Sequence, residues 1–194
     1  MMNVVLYEPE IPANTGNIGR TCVVTGSVLH LVGPLGFALD DHMLHRAGLG
    51  YWRSLDVRVY DGWQEFLQVN GLTVDDARIH YLTKKARRTY AEAAYADGDY
   101  LVFGKESSGI PEEVLATAPE RCERIPMLPD AVTIKDAGTW AEPAGKPSAH
   151  PILRQDICGN FIDPDDYRIS ALNLSNAAAV VLYEALRQTG FSGM

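Results

Sequence analysis

Asn3-Val4-Val5-Leu6-Tyr7-Glu8-Pro9-Glu10-Ile11-Pro12-Ala13-Asn14-Thr15-Gly16-Asn17-Ile18-Gly19-Arg20 holds a short apolar run, a stiff turn and the start of a helix. Asn3–Tyr7 has the length and apolar content of a buried strand. Pro9 and Pro12 stiffen the exit from it. Asn14, Thr15 and Asn17 are side chains that cap helices, and Gly16 and Gly19 allow close backbone approach. The pattern predicts a helix over Asn17–Thr25, with Arg20 on its first or second turn near the carboxyl end of the strand. In open α/β sheets, ligands bind at that end. The same residues also read as a plain capping loop carrying a surface arginine.

The alternation continues outward. Val28–Val32, Val57–Tyr60, Ile79–Thr83, Tyr100–Phe103 and Arg124–Met127 read as strands. Leu39–Ala47 and Trp63–Val69 read as helices, and Pro111 suits the first turn of a helix running to about Ala116. Strands and helices in this order predict an α/β domain with a mostly parallel sheet and flanking helices. Residues 128–170 break the pattern, with five of the eleven prolines and few periodic segments. They read as an inserted lobe within one domain spanning 1–194, with a hairpin around Ile157–Ile162. After it, Ser175 or Asn176 is placed to cap a helix over Ala177–Gln188. The run Ala177-Ala178-Ala179-Val180-Val181-Leu182 is apolar all round, which predicts burial on most sides, in part by a second subunit.

Bulk properties narrow the class. The 194 residues, 46% of them apolar, suffice for one domain with a sizeable core. No run approaches the length of a membrane span, and the first residues lack the basic flank of a signal peptide. Cys22, Cys122 and Cys158 form no CxxC pair, which fits a reducing cytoplasmic setting without a disulfide framework. A net charge of −8 argues against a protein that coats nucleic acid non-specifically, yet leaves room for a local basic patch at Lys84-Lys85-Ala86-Arg87-Arg88.

Two further clusters carry chemistry. Phe103-Gly104-Lys105-Glu106-Ser107-Ser108-Gly109-Ile110-Pro111 runs from a strand through glycine and a carboxylate to a helix start. Gly104 lets a ligand lie against the backbone, and Glu106 accepts hydrogen bonds from a ligand or a neighbouring loop; a plain βα turn is the bland alternative. Asn173-Leu174-Ser175-Asn176 places three small polar side chains before a helix, more than capping needs. Neither GxGxxG after a strand nor GxxxxGK[ST] is present, which counts against dinucleotide and P-loop readings. His42 and His45 lack a third zinc ligand, and Asp163, Asp165 and Asp166 lack EF-hand spacing, so no metal is expected.

Together, Asn14-x-x-Gly-Asn-x-x-Arg20, Phe103-Gly-x-Glu106-x-x-Gly109, and Ile125-Pro-Met127 with Leu172-Asn-Leu-Ser-Asn176 resemble the three motifs of the SPOUT RNA methyltransferases. Val5-Leu-Tyr-Glu-Pro-Glu-Ile-Pro-x-Asn-Thr-Gly-Asn-Ile, Pro34-Leu-Gly-Phe37 and Tyr183-Glu-Ala are similar to the tRNA (cytidine/uridine-2'-O)-methyltransferases of the anticodon wobble position. The resemblance implies a trefoil knot in the C-terminal half, a rare topology. It implies a homodimer, tRNA as substrate and S-adenosylmethionine as methyl donor. Carried over by position, the cofactor meets Leu82, Thr83, Gly104, Ile125, Met127, Ala171 and Leu172. Arg20, Asn14, Glu106 and Ser175 fall at catalytic positions. Many relatives carry Ser where this chain has Ala171, and close relatives join their second and third motifs through far fewer residues. The alternatives are a SPOUT enzyme acting on rRNA and a non-catalytic RNA-binding relative disabled by the insertion.

Overall fold

The computed structural model describes residues 1–38, 50–127 and 171–194, together with the strand pair Arg154–Gln155 and Phe161–Ile162. Strand β1 (Asn3–Tyr7) leads through Glu8, whose φ of 48° is uncommon for a non-glycine, into helix α1 (Pro12–Thr25). The helix starts five residues earlier than expected. Pro12 takes the first helical position, where its missing N–H costs nothing. Ile11 is the N-cap and makes no side-chain capping bond, so Asn14, Thr15 and Asn17 are not caps. Arg20 therefore sits on the third turn, roughly 12 Å along the axis. Gly26, at φ 64°, ends the helix in the left-handed conformation.

Next come β2 (Val28–Val32), a short 3-10 turn (Gly50–Ser54), β3 (Val57–Tyr60), α2 (Trp63–Asn70), β4 (Ile79–Leu82) and β5 (Tyr100–Phe103). Helix α3 (Glu112–Thr117) follows Pro111, which caps it rather than opening it. Then come β6 (Cys122–Glu123), β7 (Arg154–Gln155), β8 (Phe161–Ile162) and α4 (Leu174–Gln188). β6 lies two residues before the expected Arg124–Met127. Its ladder can pair only with the end of β4, at Tyr81↔Cys122 and Leu82↔Glu123. Beyond Arg124, which bridges Thr89, Pro126 has no N–H to extend it. β7 and β8 pair antiparallel, Arg154↔Ile162 and Gln155↔Phe161, so the expected hairpin starts three residues earlier. Asn173, not Ser175 or Asn176, caps α4. Leu39–Ala47, His42, His45, Cys158, the aspartates from Asp163 to Asp166 and the connection that the knot requires lie outside the described residues.

The main sheet has six parallel strands in the order β3-β2-β1-β5-β4-β6. β1, β2 and β4 are buried almost throughout, as parallel strands covered on both faces must be. Alternate residues feed two cores. Val4, Leu6, Leu29, Leu31, Leu101 and Phe103 pack with Ile18 and Cys22 of α1 and Ala178, Val181 and Leu182 of α4. Val5, Tyr7, Val32, Tyr81 and Val102 pack with Trp63 and Phe66 of α2 and Leu115 of α3. Helix α4 is thus buried along one side only, with Val180 and Tyr183 exposed on the other. The sequence run is apolar all round, but the described subunit covers only half of it.

Candidate active site at the carboxyl edge of the sheet

From β1 the chain turns toward β2. From β5 it passes the other way, beyond β4 to β6. The carboxyl ends of β1 and β5 therefore flank a topological switch point, where open α/β sheets place their ligands. Two loops meet there, one after β1 and one after β5, and they clasp each other with charge-assisted bonds. Lys105 Nζ reaches Glu8 at 2.8 Å. Ser107 donates from its backbone N–H and from Oγ to the Glu10 carboxylate, both at 2.9 Å. These two bonds from Ser107 hold the Glu10 carboxyl below its ordinary range. In return, the Glu10 N–H donates to Glu106 Oε2 at 2.9 Å, and Asn14 Nδ2 donates to Glu106 Oε1 at 2.8 Å.

The third cluster joins the same network. Asn173 Nδ2 donates to Asn14 Oδ1 at 2.9 Å, across 159 residues of chain. Asn173 Oδ1 accepts from the Ser175 backbone N–H at 2.9 Å and from Ser175 Oγ at 2.7 Å. A directional chain of donors thus runs from Ser175 through Asn173 and Asn14 to the Glu106 carboxylate. Asn14, Glu106 and Ser175 are brought together as expected of one site. Asn173, the residue between them, belongs to the third cluster, but the sequence gives it no catalytic position. Its signal was present, an asparagine two residues before a serine at a helix start, where one Asn can cap and still donate from Nδ2.

Arg20 is placed differently. It lies on the exposed face of α1, with its guanidinium carbon 5.0 Å from the centre of the Tyr51 ring. The Tyr51 hydroxyl donates to the Gly16 carbonyl at 2.7 Å and fixes that platform. Burial raises the Tyr51 pKa, with Arg20 pulling the other way. Trp52, from the same 3-10 turn, packs so closely that a Cβ on Gly19 would stand 2.8 Å from its ring. Gly19 thus admits a neighbouring turn of the chain. Among the described residues, no hydrogen bond joins Arg20 to the Asn14–Glu106 chain.

Gly104 is also explained by packing within the protein. A Cβ there would stand 2.1 Å from the carbonyl carbon of Gly109, because the loop folds back on itself through a Gly109 N–H to Lys105 carbonyl bond. Gly109 turns that corner at φ 73°. The remaining positions implied for a cofactor sit at neighbouring strand ends. Leu82 ends β4, and the Thr83 N–H donates to the Glu123 carbonyl at 2.8 Å. Ile125 and Met127 follow β6 half-buried, while Ala171 and Leu172 are exposed before α4. Among the described residues, the backbone N–H groups of Ile125 and Met127 have no main-chain partner. Half-buried main-chain amides beside apolar side chains fit the edge and face of an adenosyl group. The basic run is less free than its sequence implies. Lys85 is paired with Glu112 at 2.8 Å and Arg88 with Glu123 at 2.6 Å.

Comparison with known proteins places this geometry. Residues 1–133 match the profile described as the SpoU rRNA Methylase family. The chain is 38% identical over 194 residues to the tRNA (cytidine(34)-2'-O)-methyltransferase of Escherichia coli strain K12, covering 100% of this chain and 97% of that protein. The protein of the same name from Photorhabdus asymbiotica is 38% identical over 195 residues, with 100% and 97% covered. A solved structure titled for the 2-OH methylation of C/U34 on tRNA superposes with a TM-score of 0.68 at 37% identity, covering 97% of this chain and 95% of that one.

Proposed function

Because the chain belongs to the SpoU rRNA methylase family, we propose that it moves a methyl group from S-adenosylmethionine to a ribose 2'-hydroxyl of tRNA, at the anticodon wobble nucleotide. One observation carries the reading: the donor chain Ser175–Asn173–Asn14–Glu106 joins three distant stretches at the switch point of the sheet. Full-length likeness to proteins named for this reaction supports the substrate. The family profile is described by rRNA, which favours rRNA as the second reading.

The reaction needs alignment more than new chemistry. The cofactor supplies an electrophilic methyl on a sulfonium, held by Leu82, Thr83, Gly104, Ile125, Met127, Ala171 and Leu172. At Ala171 only the backbone can serve, since the side chain has no hydroxyl. Asn14 and Glu106 are locked by their mutual bond and orient the nucleotide-facing edge of α1. Ser175 Oγ is already committed to Asn173, so its role is to hold that residue. Arg20, free to leave the Tyr51 ring, positions a phosphate or the reacting hydroxyl and stabilises its developing negative charge. An arginine does not serve as the base, because a guanidinium keeps its proton in proteins.

The working unit in this reading is a cytoplasmic homodimer whose subunits meet through the exposed side of α4. Each subunit is one domain over 1–194 with an inserted lobe at 128–170, in a chain that ties the family's knot. No helix among the described residues is long and apolar enough to cross a membrane. Incubation with bulk tRNA and S-adenosylmethionine, followed by nucleoside analysis, tests the proposal. The expected product is 2'-O-methylcytidine or 2'-O-methyluridine from the wobble position. Methylation found only in rRNA moves the substrate to the second reading. Calorimetric binding of the donor without methylation of any RNA defeats the catalytic proposal.

A further inference from the structure

A second buried polar cluster lies under the β4 and β6 loops, away from the clasp. The Glu123 carboxylate, wholly buried, receives three donors: His80 Nδ1 at 2.8 Å, Arg88 Nη2 at 2.6 Å and the Tyr95 hydroxyl at 2.7 Å. His80 Nε2 meets buried Asp99 at 3.1 Å, and Asp99 also accepts the Ala96 N–H at 2.7 Å. Burial pulls the His80 pKa down, but the bonds to Asp99 and Glu123 outweigh it and raise it above the ordinary value. The His80 ring and the half-exposed Arg88 guanidinium thus face two buried carboxylates. Buried ion clusters repay their desolvation poorly, and apolar side chains of similar volume often give equal stability. Stability alone is a weak reason for this one, so its placement is the better guide.

Glu123 is the last residue of β6, two positions before Ile125. The segment 83–90 leaves β4 and returns to the same place. Its ends are tied by Thr83 N–H to Glu123 carbonyl at 2.8 Å, Arg124 N–H to Arg88 carbonyl at 2.9 Å and Tyr90 N–H to Arg124 carbonyl at 2.9 Å. The Arg88 side chain reaches from this segment to Glu123. Tyr95 touches both Glu123 and the Tyr90 carbonyl, and its own N–H is held at 3.1 Å by Gln188 of α4. One carboxylate therefore fixes the separation of the two loops that carry Thr83 on one side and Ile125 and Met127 on the other.

We infer that Glu123 is a positioning residue for the cofactor loops, acting through Arg88 and Tyr95 to hold segment 83–90 against 124–127. The inference rests on the proposed cofactor reading. Calorimetry with S-adenosylmethionine alone, without RNA, reads the pocket directly. Glu123→Gln keeps the volume and removes the charge; its affinity for the donor is expected to fall about tenfold or more. In the cofactor-free protein, amide exchange over 83–90 and 124–127 is expected to speed up, with β1 and β2 as protected as before. A folded Glu123→Gln protein with native affinity and native exchange overturns the inference. If that variant does not fold, Arg88→Met removes the half-exposed partner and leaves the His80–Glu123 bond. The same losses are expected, and native behaviour again overturns the inference. If the unaltered protein binds no donor, the cofactor reading fails instead. The exchange measurement then still decides whether Glu123 orders the two loops.

Discussion

Arg20 and Asn14 stand six residues apart on one helix and are held in opposite ways. Asn14 is 5% exposed and uses both ends of its amide, one toward Glu106 and one toward Asn173. Arg20 is exposed and rests on an aromatic face, a contact worth about 0.5–1 kcal/mol at such sites. A side chain held that weakly can turn to a substrate at little cost. Arg20→Ala is therefore expected to cut turnover on saturating tRNA by about 100-fold or more, the scale of losing one oxyanion donor. Melting temperature and donor affinity are expected to stay native. Turnover unchanged at saturating tRNA removes Arg20 from the mechanism. A different residue sets part of the acid sensitivity. His30 is wholly buried, between the Tyr60 hydroxyl at 2.9 Å and Asn3 Oδ1 at 3.1 Å. Asn3 Nδ2 is spent on the Gly98 carbonyl, so His30 Nε2 carries the proton and Nδ1 accepts from Tyr60. Burial, with Arg58 adding to it, pushes its pKa down to about 4. The unfolded chain takes the proton near pH 6.5 and the folded chain does not. This contribution, up to about 3 kcal/mol, is complete above pH 6.5 and is lost as pH falls toward 4. His80 has the opposite sign. Its raised pKa adds stability that is full below pH 6.5 and fades as pH rises through the folded value. Urea unfolding of the native protein and His30→Gln at pH 7.5 and pH 4.5 checks the first effect. The variant should lose less stability between the two pH values, and an equal loss rules His30 out.

Element by element, the sheet was legible and the ends of its elements less so. Asn3–Tyr7, Val28–Val32 and Tyr100–Phe103 have the bounds that their apolar runs imply, because strands covered on both faces admit little else, and the edge strand Val57–Tyr60 has its expected bounds too. α1 was shortened in the sequence reading because Asn14, Thr15 and Asn17 look like caps. Pro12 can begin a helix without one, and Asn14 was needed elsewhere. The three polar clusters stand out in the sequence one by one. Their hydrogen-bonded union through Asn173 was not, since nothing local joins residues 159 positions apart. At Gly104 packing within the protein gives a reason for glycine that the sequence does not show. Its added methyl group meets backbone, not a flexible side chain, at 2.1 Å. Gly104→Ala must shift Gly109 and with it the clasp on Glu10, so a loss of about 3 kcal/mol is expected in thermal or urea unfolding. A variant as stable as the native protein shows that the loop has another packing. The stretch expected to be an insertion can be read from its composition. Residues 128–170 carry seven acidic and four basic side chains, poor material for following a phosphate backbone. Their flanks are Met127, on a loop proposed for the cofactor, and Ala171, before the Asn173 cap. From this charge and these flanks we propose that the segment bears on donor binding rather than on RNA binding. Replacing 129–168 with a short linker should change donor affinity more than tRNA affinity in separate binding titrations. Normal donor binding with lost tRNA binding reverses that preference.

At the scale of the whole molecule, the question is what covers α4. Its inner side is sealed in the core through Ala178, Val181, Leu182, Ala185 and Leu186. Its outer side carries Val180, 39% exposed, and Tyr183, 45% exposed, and Leu172, two residues before the helix begins, is 44% exposed. Val180 and Tyr183 stand three residues apart and so share one helix face. Single exposed apolar residues need no explanation, but an aligned pair on a terminal helix does. A second copy is the economical partner. A two-fold axis sets the same face against itself, and closed two-fold dimers are the commonest assembly. Charge gives a reason as well. With −8 per chain, a single subunit offers an RNA little attraction, and the Lys84–Arg88 run is partly neutralised by Glu112 and Glu123. Pairing two subunits sets two exposed Arg20 side chains on one particle, and each α1 packs beside the α4 that forms the contact. Light scattering at micromolar concentration should therefore give twice the chain mass. Val180→Asp with Tyr183→Asp places two charges per chain on the contact and leaves the inner side of α4 untouched. That variant should scatter as a folded monomer and methylate tRNA poorly, while its circular dichroism remains native. A native protein that is already monomeric sinks the dimer, and a variant that still pairs moves the contact to another surface.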